Sequence, residues 1–243
     1  ALGATENDIT KTWMPWAQKA GTIVVDNSSA YRLDSNVPLV IPEINPEDIQ
    51  KNQGIIANPN CATIIALVAL HVLHQEFKIK RMIVSTYQAV SGAGVKGIQD
   101  LENQVKDPSI PSQAFPYPIA YNLIPQIGDF DENGISKEEW KLQNESRKIL
   151  HDPDILVNCT CVRVPIMRSH SESITIECEK EVDVQKAREL LAHAPGVKLV
   201  DDPQNKIYPM PLDTSDQDLV YVGRIREDLS DPSKHSMILF CCG

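Results

Sequence analysis

The 243-residue chain carries 23 Lys and Arg against 33 Asp and Glu, a formal net charge of -10, with 42% apolar and 23% charged residues. That balance excludes a basic stripe for nucleic acid or for an anionic membrane surface, while a few local Arg and Lys can still build a pocket for a small anion. The longest apolar stretch, 62–72, is too short to span a bilayer, and the length allows one large domain or two modest ones.

In chain order, 10–19 reads as a helix and "TIVVD" (22–26) as a short buried strand. "DNSSAYRLDSNVP" follows as a polar loop, "LVIPEI" as a second strand, and "NPEDIQ" as a short helix with Asn45 as cap and Pro46 at its first position. "GIIANP" (54–59) is a third apolar run. Short strands alternating with helices point to part of a parallel α/β sheet.

A second style begins near residue 61. A helix over 61–75 is apolar on most sides and is expected to be buried. A strand (79–90), a glycine turn leading into a helix, a proline-rich passage (107–125) and a helix (136–150) follow. Two strands (155–166, 171–179), a helix (183–194) and three more strands (197–201, 218–226, 236–242) complete the pattern. Long strands joined by turns indicate an antiparallel or mixed sheet with helices on one face.

Cys61 sits in "ANPNCATIIALVAL", between a polar turn and the buried helix. With Asn58 as cap and Pro59 at the first helical position, Cys61 falls in the first turn, where free N–H groups and the helix dipole favour thiolate. A packed, inert cysteine fits the same stretch equally well. A reactive one needs an acid/base partner. His170, in a polar break between two strands, is the best placed by sequence. His71 and His74 share the buried helix, and His151, His193 and His235 lie at helix ends or in loops with no evident partner.

Arg163, inside "TCVRVPI", is costly to bury unless it is paired, either in a salt bridge or with the carboxylate of a substrate. Gln88 ends a strand just before the glycine turn Ser91-Gly92-Ala93-Gly94. The six cysteines show no disulfide or zinc spacing, which fits a reducing cytoplasm and no structural metal. "DFDENGISKEEW" matches the start of a calcium loop but carries Trp140 where the last carboxylate belongs. It reads instead as a turn capped by Ser136 and Glu139.

Seven stretches, in this order, resemble the aspartate-semialdehyde dehydrogenase family: "VVDNSSAYR", "PLVIPEIN", "IIANPNCAT", "VSTYQAVSGAG", "EEWKLQNESRKIL", "TCVRVPIMRSHSES" and "VGRIRED". The resemblance implies an α/β remnant of a Rossmann-type nucleotide-binding domain over 1–60. To this it adds an α+β catalytic and dimerisation domain over 61–243 with a mixed, largely antiparallel sheet.

It also implies NADP-dependent reduction of 4-aspartyl phosphate to L-aspartate 4-semialdehyde through a thioester on the cysteine, on the route to lysine, threonine and methionine. Cys61 would be the nucleophile and His170 the general acid/base. Gln88 and Arg163 would hold the substrate's α-carboxylate end and Glu138 its ammonium. Arg32 and Lys141 would bind phosphate, with Asn60 in the same site and Ser91 and Gly92 against the nicotinamide. The family's partners imply a homodimer or homotetramer in the cytoplasm, with no nucleic acid and no membrane.

The family opens on a strand with a glycine-rich loop and closes on a long helix. This chain begins "ALGATEND" and stops at "FCCG", so the expectation is a fragment with an incomplete cofactor half. Two alternatives stand beside this reading: a non-catalytic relative, and an enzyme like the N-acetyl-glutamyl-phosphate reductases.

Overall fold

Two sheets share one apolar core in the computed structural model, which describes residues 1–243. The first contains β1 (Leu2–Gly3), β2 (Val24–Asp26) and β3 (Ile55–Ala57), all parallel, with α1 (Asn7–Lys19) between β1 and β2. The expected strand at "LVIPEI" does not form. Leu39 makes a single parallel bridge with Ala57, because Pro38 and Pro42 cannot donate to a ladder. Leu39, Val40 and Ile41 are buried all the same, as extended chain crossing the core.

Next come α2 (Cys61–Phe77), β4 (Ile79–Gln88), α3 (Gly94–Lys106), α4 (Lys137–Ile149), β5 (Leu156–Arg163), β6 (Ser171–Cys178) and α5 (Val184–Ala192). The chain ends with β7 (Val197–Leu199), α6 (Pro211–Thr214), β8 (Val220–Glu227) and β9 (Ser236–Cys242). The second sheet has the order β5-β4-β6-β9-β8-β7. It is mixed: β4 is parallel to β5 and β7 to β8, and the other three pairings are antiparallel. Although β5 and β6 are consecutive, they do not pair, because β4 lies between them.

The alternation along β4 and β6 sends Met82, Val84, Ile174 and Ile176 to a face covered by α2, α4 and α5. The opposite face stays open, with Ile83 and Tyr87 exposed and Tyr87 against Phe240 at 6.3 Å between ring centroids. Helix α2 joins the two sheets. Ala66, Leu67, Leu70 and Leu73 are buried in a continuous cluster that also holds Met14 and Val24 from the first sheet and Leu239 from the second. A helix so apolar all round has no solvent face to turn outward, and its starting residue is therefore held in place.

The acidic turn before α4 behaves as a cap. Ser136 and Glu139 form a reciprocal capping box. The Asp131 carboxylate accepts the N–H groups of Asn133 and Ile135 and the indole N–H of Trp140. No group of three or more His, Cys, Asp or Glu residues is placed to hold a metal ion. No helix is long and apolar enough to cross a membrane.

Candidate active site

The carboxyl ends of β2, β3, β4 and β5 all open toward one cleft of about 450 Å³, the usual place for a ligand in an open parallel arrangement. Arg32, Asn60, Cys61, Gln88, Gly92, Glu138, Lys141 and Arg163 all line it. His170 borders it from behind Gly92. Ser91 does not line it. Its N–H donates to the Met167 carbonyl at 3.2 Å.

Asn60, not Asn58, caps α2. Its side-chain Oδ1 accepts the N–H groups of Ala62 at 3.0 Å and Thr63 at 3.3 Å. The Asn-Pro-Asn sequence offers two caps, and the second is used, so Cys61 is the first residue of the helix. The side-chain Nδ2 of Asn60 donates to Glu138 at 2.9 Å, and its main-chain N–H donates to Glu145 at 2.6 Å.

The expectation of a depressed Cys61 pKa is overturned. Cys61 opens to solvent through the cleft. Yet protein crowds it from every other side, and this burial, helped by the charge of Glu138, pushes the thiol up to about 11 against the pull of the Ala62 N–H and Arg163. The hydrogen bond at the helix start acts in the expected direction and is outweighed by desolvation.

Glu138 is the hub. Oε1 accepts from Asn60 and from Gln88 Nε2 at 3.1 Å, and Oε2 pairs with Lys141 Nζ at 3.0 Å. Burial alone would lift its pKa. The Lys141 ammonium and the three hydrogen bonds outweigh burial and hold it below the ordinary carboxylate range. Gln88 is fixed in turn by Thr86, whose hydroxyl donates to its Oε1 at 2.9 Å.

Arg163 stands opposite Gln88 in the β4–β5 register. It is buried without a carboxylate partner: Nη1 donates to the Ala89 carbonyl at 2.7 Å, and the Phe115 ring lies 5.9 Å from the guanidinium carbon. A guanidinium fork that lines the cleft and pairs with none of its carboxylates is suited to a ligand's carboxylate. The Ala89 N–H donates to His170 Nδ1 at 3.0 Å. Burial, reinforced by Arg163, lowers the His170 pKa to about 4, so the ring is neutral near pH 7.

Arg32 comes from the loop after β2, a turn set by Asp26, which accepts the N–H and hydroxyl of Ser28. Its Nη1 pairs with Glu145 at 3.2 Å and its Nη2 donates to the Asn27 carbonyl at 2.8 Å. Lys148 adds a clamp, with Nζ donating to the carbonyls of Arg32, Asp34 and Val37 at 2.6–2.8 Å.

Sequence reasoning missed Glu145, Lys148 and Glu172. Leu142, Glu145 and Ile149 share one helical face and all are buried, which was a readable sign of a carboxylate facing inward. Glu172 alternates with Ile174, Ile176 and Cys178 on the covered face of β6, a period-two sign of the same kind. His151, expected to lack a partner, pairs with Asp48 at 2.8 Å.

A cysteine at a helix start, an arginine fork and a neutral histidine are thus brought together around one polar cleft, an arrangement that suits an enzyme working through a cysteine. Residues 1–52 match the family model described as semialdehyde dehydrogenase, NAD binding domain, and residues 70–241 match semialdehyde dehydrogenase, dimerisation domain. The chain is 52% identical to the aspartate-semialdehyde dehydrogenase of Aquifex aeolicus over 94% of its own length and 69% of that protein's. It is 50% identical to that of Campylobacter jejuni over 99% and 72%.

Among solved structures, aspartate semialdehyde dehydrogenase II from Vibrio cholerae superposes with a TM-score of 0.95 at 40% identity, covering 100% of this chain and 73% of that one. The same protein is also known complexed with ASA. The enzyme from Candida albicans with NADP matches at a TM-score of 0.74 and 25% identity, covering 98% of this chain and 71% of that one. The chain belongs to the aspartate-semialdehyde dehydrogenase family, a family of nicotinamide-dependent oxidoreductases with a dimerisation domain.

Proposed function

We propose that the chain catalyses the NADP-dependent reductive dephosphorylation of 4-aspartyl phosphate to L-aspartate 4-semialdehyde. The observation that carries this reading is Cys61 at the first position of α2, in one cleft with Arg163, Gln88, Glu138, Lys141 and Arg32. Cys61 attacks the acyl carbon and expels phosphate. The fork of Arg163 and the amide of Gln88 orient the α-carboxylate end, and Glu138 receives the ammonium. Lys141 and Arg32 hold the phosphate, and Asn60 fixes both the thiol and Glu138. His170 completes the set beside the reacting carbonyl.

The nicotinamide, when bound, supplies the hydride. Gly92, which lines the cleft without a side chain, would lie against its ring. Ser91, in the same turn, would stand on the cofactor side.

The division into a cofactor unit over 1–60 and a catalytic and dimerisation unit over 61–243 follows the change of style at α2. The open sheet face with Ile83, Tyr87 and Phe240 is suited to a homodimer, or to a homotetramer built on it, in the cytoplasm. The test is phosphate-dependent reduction of NADP by the full reading frame that carries this chain, with L-aspartate 4-semialdehyde as substrate and NAD and N-acetyl-glutamate semialdehyde as comparisons. No turnover with the aspartyl substrate sinks the proposal. Preference for the glutamyl one transfers the chain to the sister reaction.

A further inference from the structure

Helix α4 carries a stripe of alternating charge, Glu138, Lys141, Glu145 and Lys148, whose spacing puts all four on one helical face. Glu138 and Lys141 line the cleft. Glu145 and Lys148 do not. They hold the loop after β2 instead.

An ammonium has three N–H donors. Lys148 directs all of them at main-chain carbonyls of that loop: Arg32 at 2.8 Å, Asp34 at 2.6 Å and Val37 at 2.7 Å. The stretch 31–37 contains no helix or strand. Its own main-chain bonds run from Asp34 N–H to Tyr31 and from Val37 N–H to Asp34, at 3.1 and 3.2 Å. No main-chain N–H reaches the carbonyl of Arg32 or of Val37, so Lys148 satisfies both. The loop takes its position from α4 rather than from within.

Arg32 is therefore held at two points. Its carbonyl is on Lys148, and its guanidinium is on Glu145 at 3.2 Å. It is buried, yet it lines the cleft together with Lys141. In the dehydrogenase reading these two cations take the phosphate. One belongs to α4 and the other to a loop of the first sheet. An anion held between two cations depends on their spacing. Glu145 and Lys148 refer the loop cation to the same helix that carries the other.

We propose that Lys148 is a positioning residue for the phosphate site: it fixes the spacing between Arg32 and Lys141 without touching the substrate. The inference deepens the dehydrogenase reading and rests on it. Lys148 also borders a second cleft of about 390 Å³, with Lys51 and His151. It is not an anion ligand there, because its three donors are engaged and Asp48 already pairs with both of the other two.

The test uses the full reading frame that carries this chain, in the NADP-reducing direction. Inorganic phosphate and L-aspartate 4-semialdehyde are varied separately. Lys148→Met keeps the apolar stem and removes the three donors. It is expected to raise the KM for phosphate about tenfold, while kcat and the KM for the semialdehyde stay within about threefold of the unmodified protein. In an Arg32→Ala background the same substitution is expected to change the phosphate KM by less than about twofold, because Lys148 acts through Arg32.

An unchanged phosphate KM overturns the proposal, and so does a full effect in the Arg32→Ala background. Equal rises in both KM values, or a kcat that falls with them, also overturn it, since a lysine that only stabilises the fold does not single out phosphate. If Lys148→Met does not fold, Lys148→Arg replaces it. The planar guanidinium keeps the charge but cannot present three donors from one point, and a phosphate KM within about twofold of the unmodified value then overturns the proposal. The two failures are distinguishable. Unmodified protein that does not consume the semialdehyde removes the reaction and the inference with it. Unmodified protein that turns over, with a phosphate KM indifferent to residue 148, removes the inference alone.

Discussion

Glu145 Oε2 accepts the main-chain N–H of Asn60 at 2.6 Å, so a carboxylate on α4 holds the residue that starts the helix under Cys61. Its other oxygen takes Arg32 at 3.2 Å, which brings the loop after β2 into the same junction. Burial raises the Glu145 pKa despite both partners, so the tie works against a solvation cost.

Glu145→Ala is expected to destabilise the fold by roughly 3–5 kcal/mol, because it strands the Arg32 guanidinium without its partner. Arg32 is 8% exposed and its Nε already lacks an acceptor. Urea denaturation measures this, and a cost below about 1 kcal/mol would show that the junction is not under strain from burial.

Glu138→Gln is expected to move two readouts in opposite directions. Removing the charge that helps raise the Cys61 pKa makes alkylation of Cys61 faster at a given pH. Losing the acceptor for the substrate ammonium and the partner of Lys141 lowers kcat/KM by roughly 10²-fold. Parallel changes in alkylation and turnover would contradict the assigned geometry.

Gly92→Ala places a methyl group 2.8 Å from Arg163 Nη1 and 3.2 Å from the His170 ring. Both side chains are tied to Ala89 and cannot retreat independently. Misplacing them is expected to lower kcat/KM by about 10²-fold, and the overlap itself to cost roughly 1–3 kcal/mol in stability. Full activity in this variant would show that the wall can yield.

Glu172 is fully buried between Thr86 and Cys241 of the neighbouring strands, and neither of its oxygens has a hydrogen-bond partner. Desolvation, with smaller contributions from Cys161 and Glu138, raises its pKa well above the ordinary 4.5. The folded chain keeps a proton that the unfolded chain sheds. The stabilisation is therefore complete below the unfolded pKa and is lost as pH rises through the folded one, at up to about 1.4 kcal/mol per pH unit between them. Glu172→Gln is expected to flatten that decline, as read from urea midpoints across the mildly acidic to mildly alkaline range. Identical slopes in the two proteins would mean that Glu172 ionises without cost.

Local signals carried the reading of the sequence furthest where one pattern had one outcome. The apolar run after Cys61 left α2 no exposed face, and Ser136 with Glu139 specified the start of α4. Two competing local solutions defeated it at "NPN", where either asparagine could cap and only the approach of Glu138 and Glu145 from α4 selects Asn60. The Cys61 thiol failed for a related reason. Its place at a helix start is local and visible, while its desolvation comes from chain distant in sequence. The grouping of Gln88 with Arg163 needed the β4–β5 register, and the Ala89 hydrogen bonds needed the turn after β4. No residue type announces either.

The proton on His170 is placed by a peptide group, and every amino acid except proline supplies the same N–H at position 89. Proline would not simply delete it, because its ring carbon would occupy the space between Ala89 N and Nδ1. Alanine scanning therefore passes over the determinant of the imidazole's tautomer without a signal.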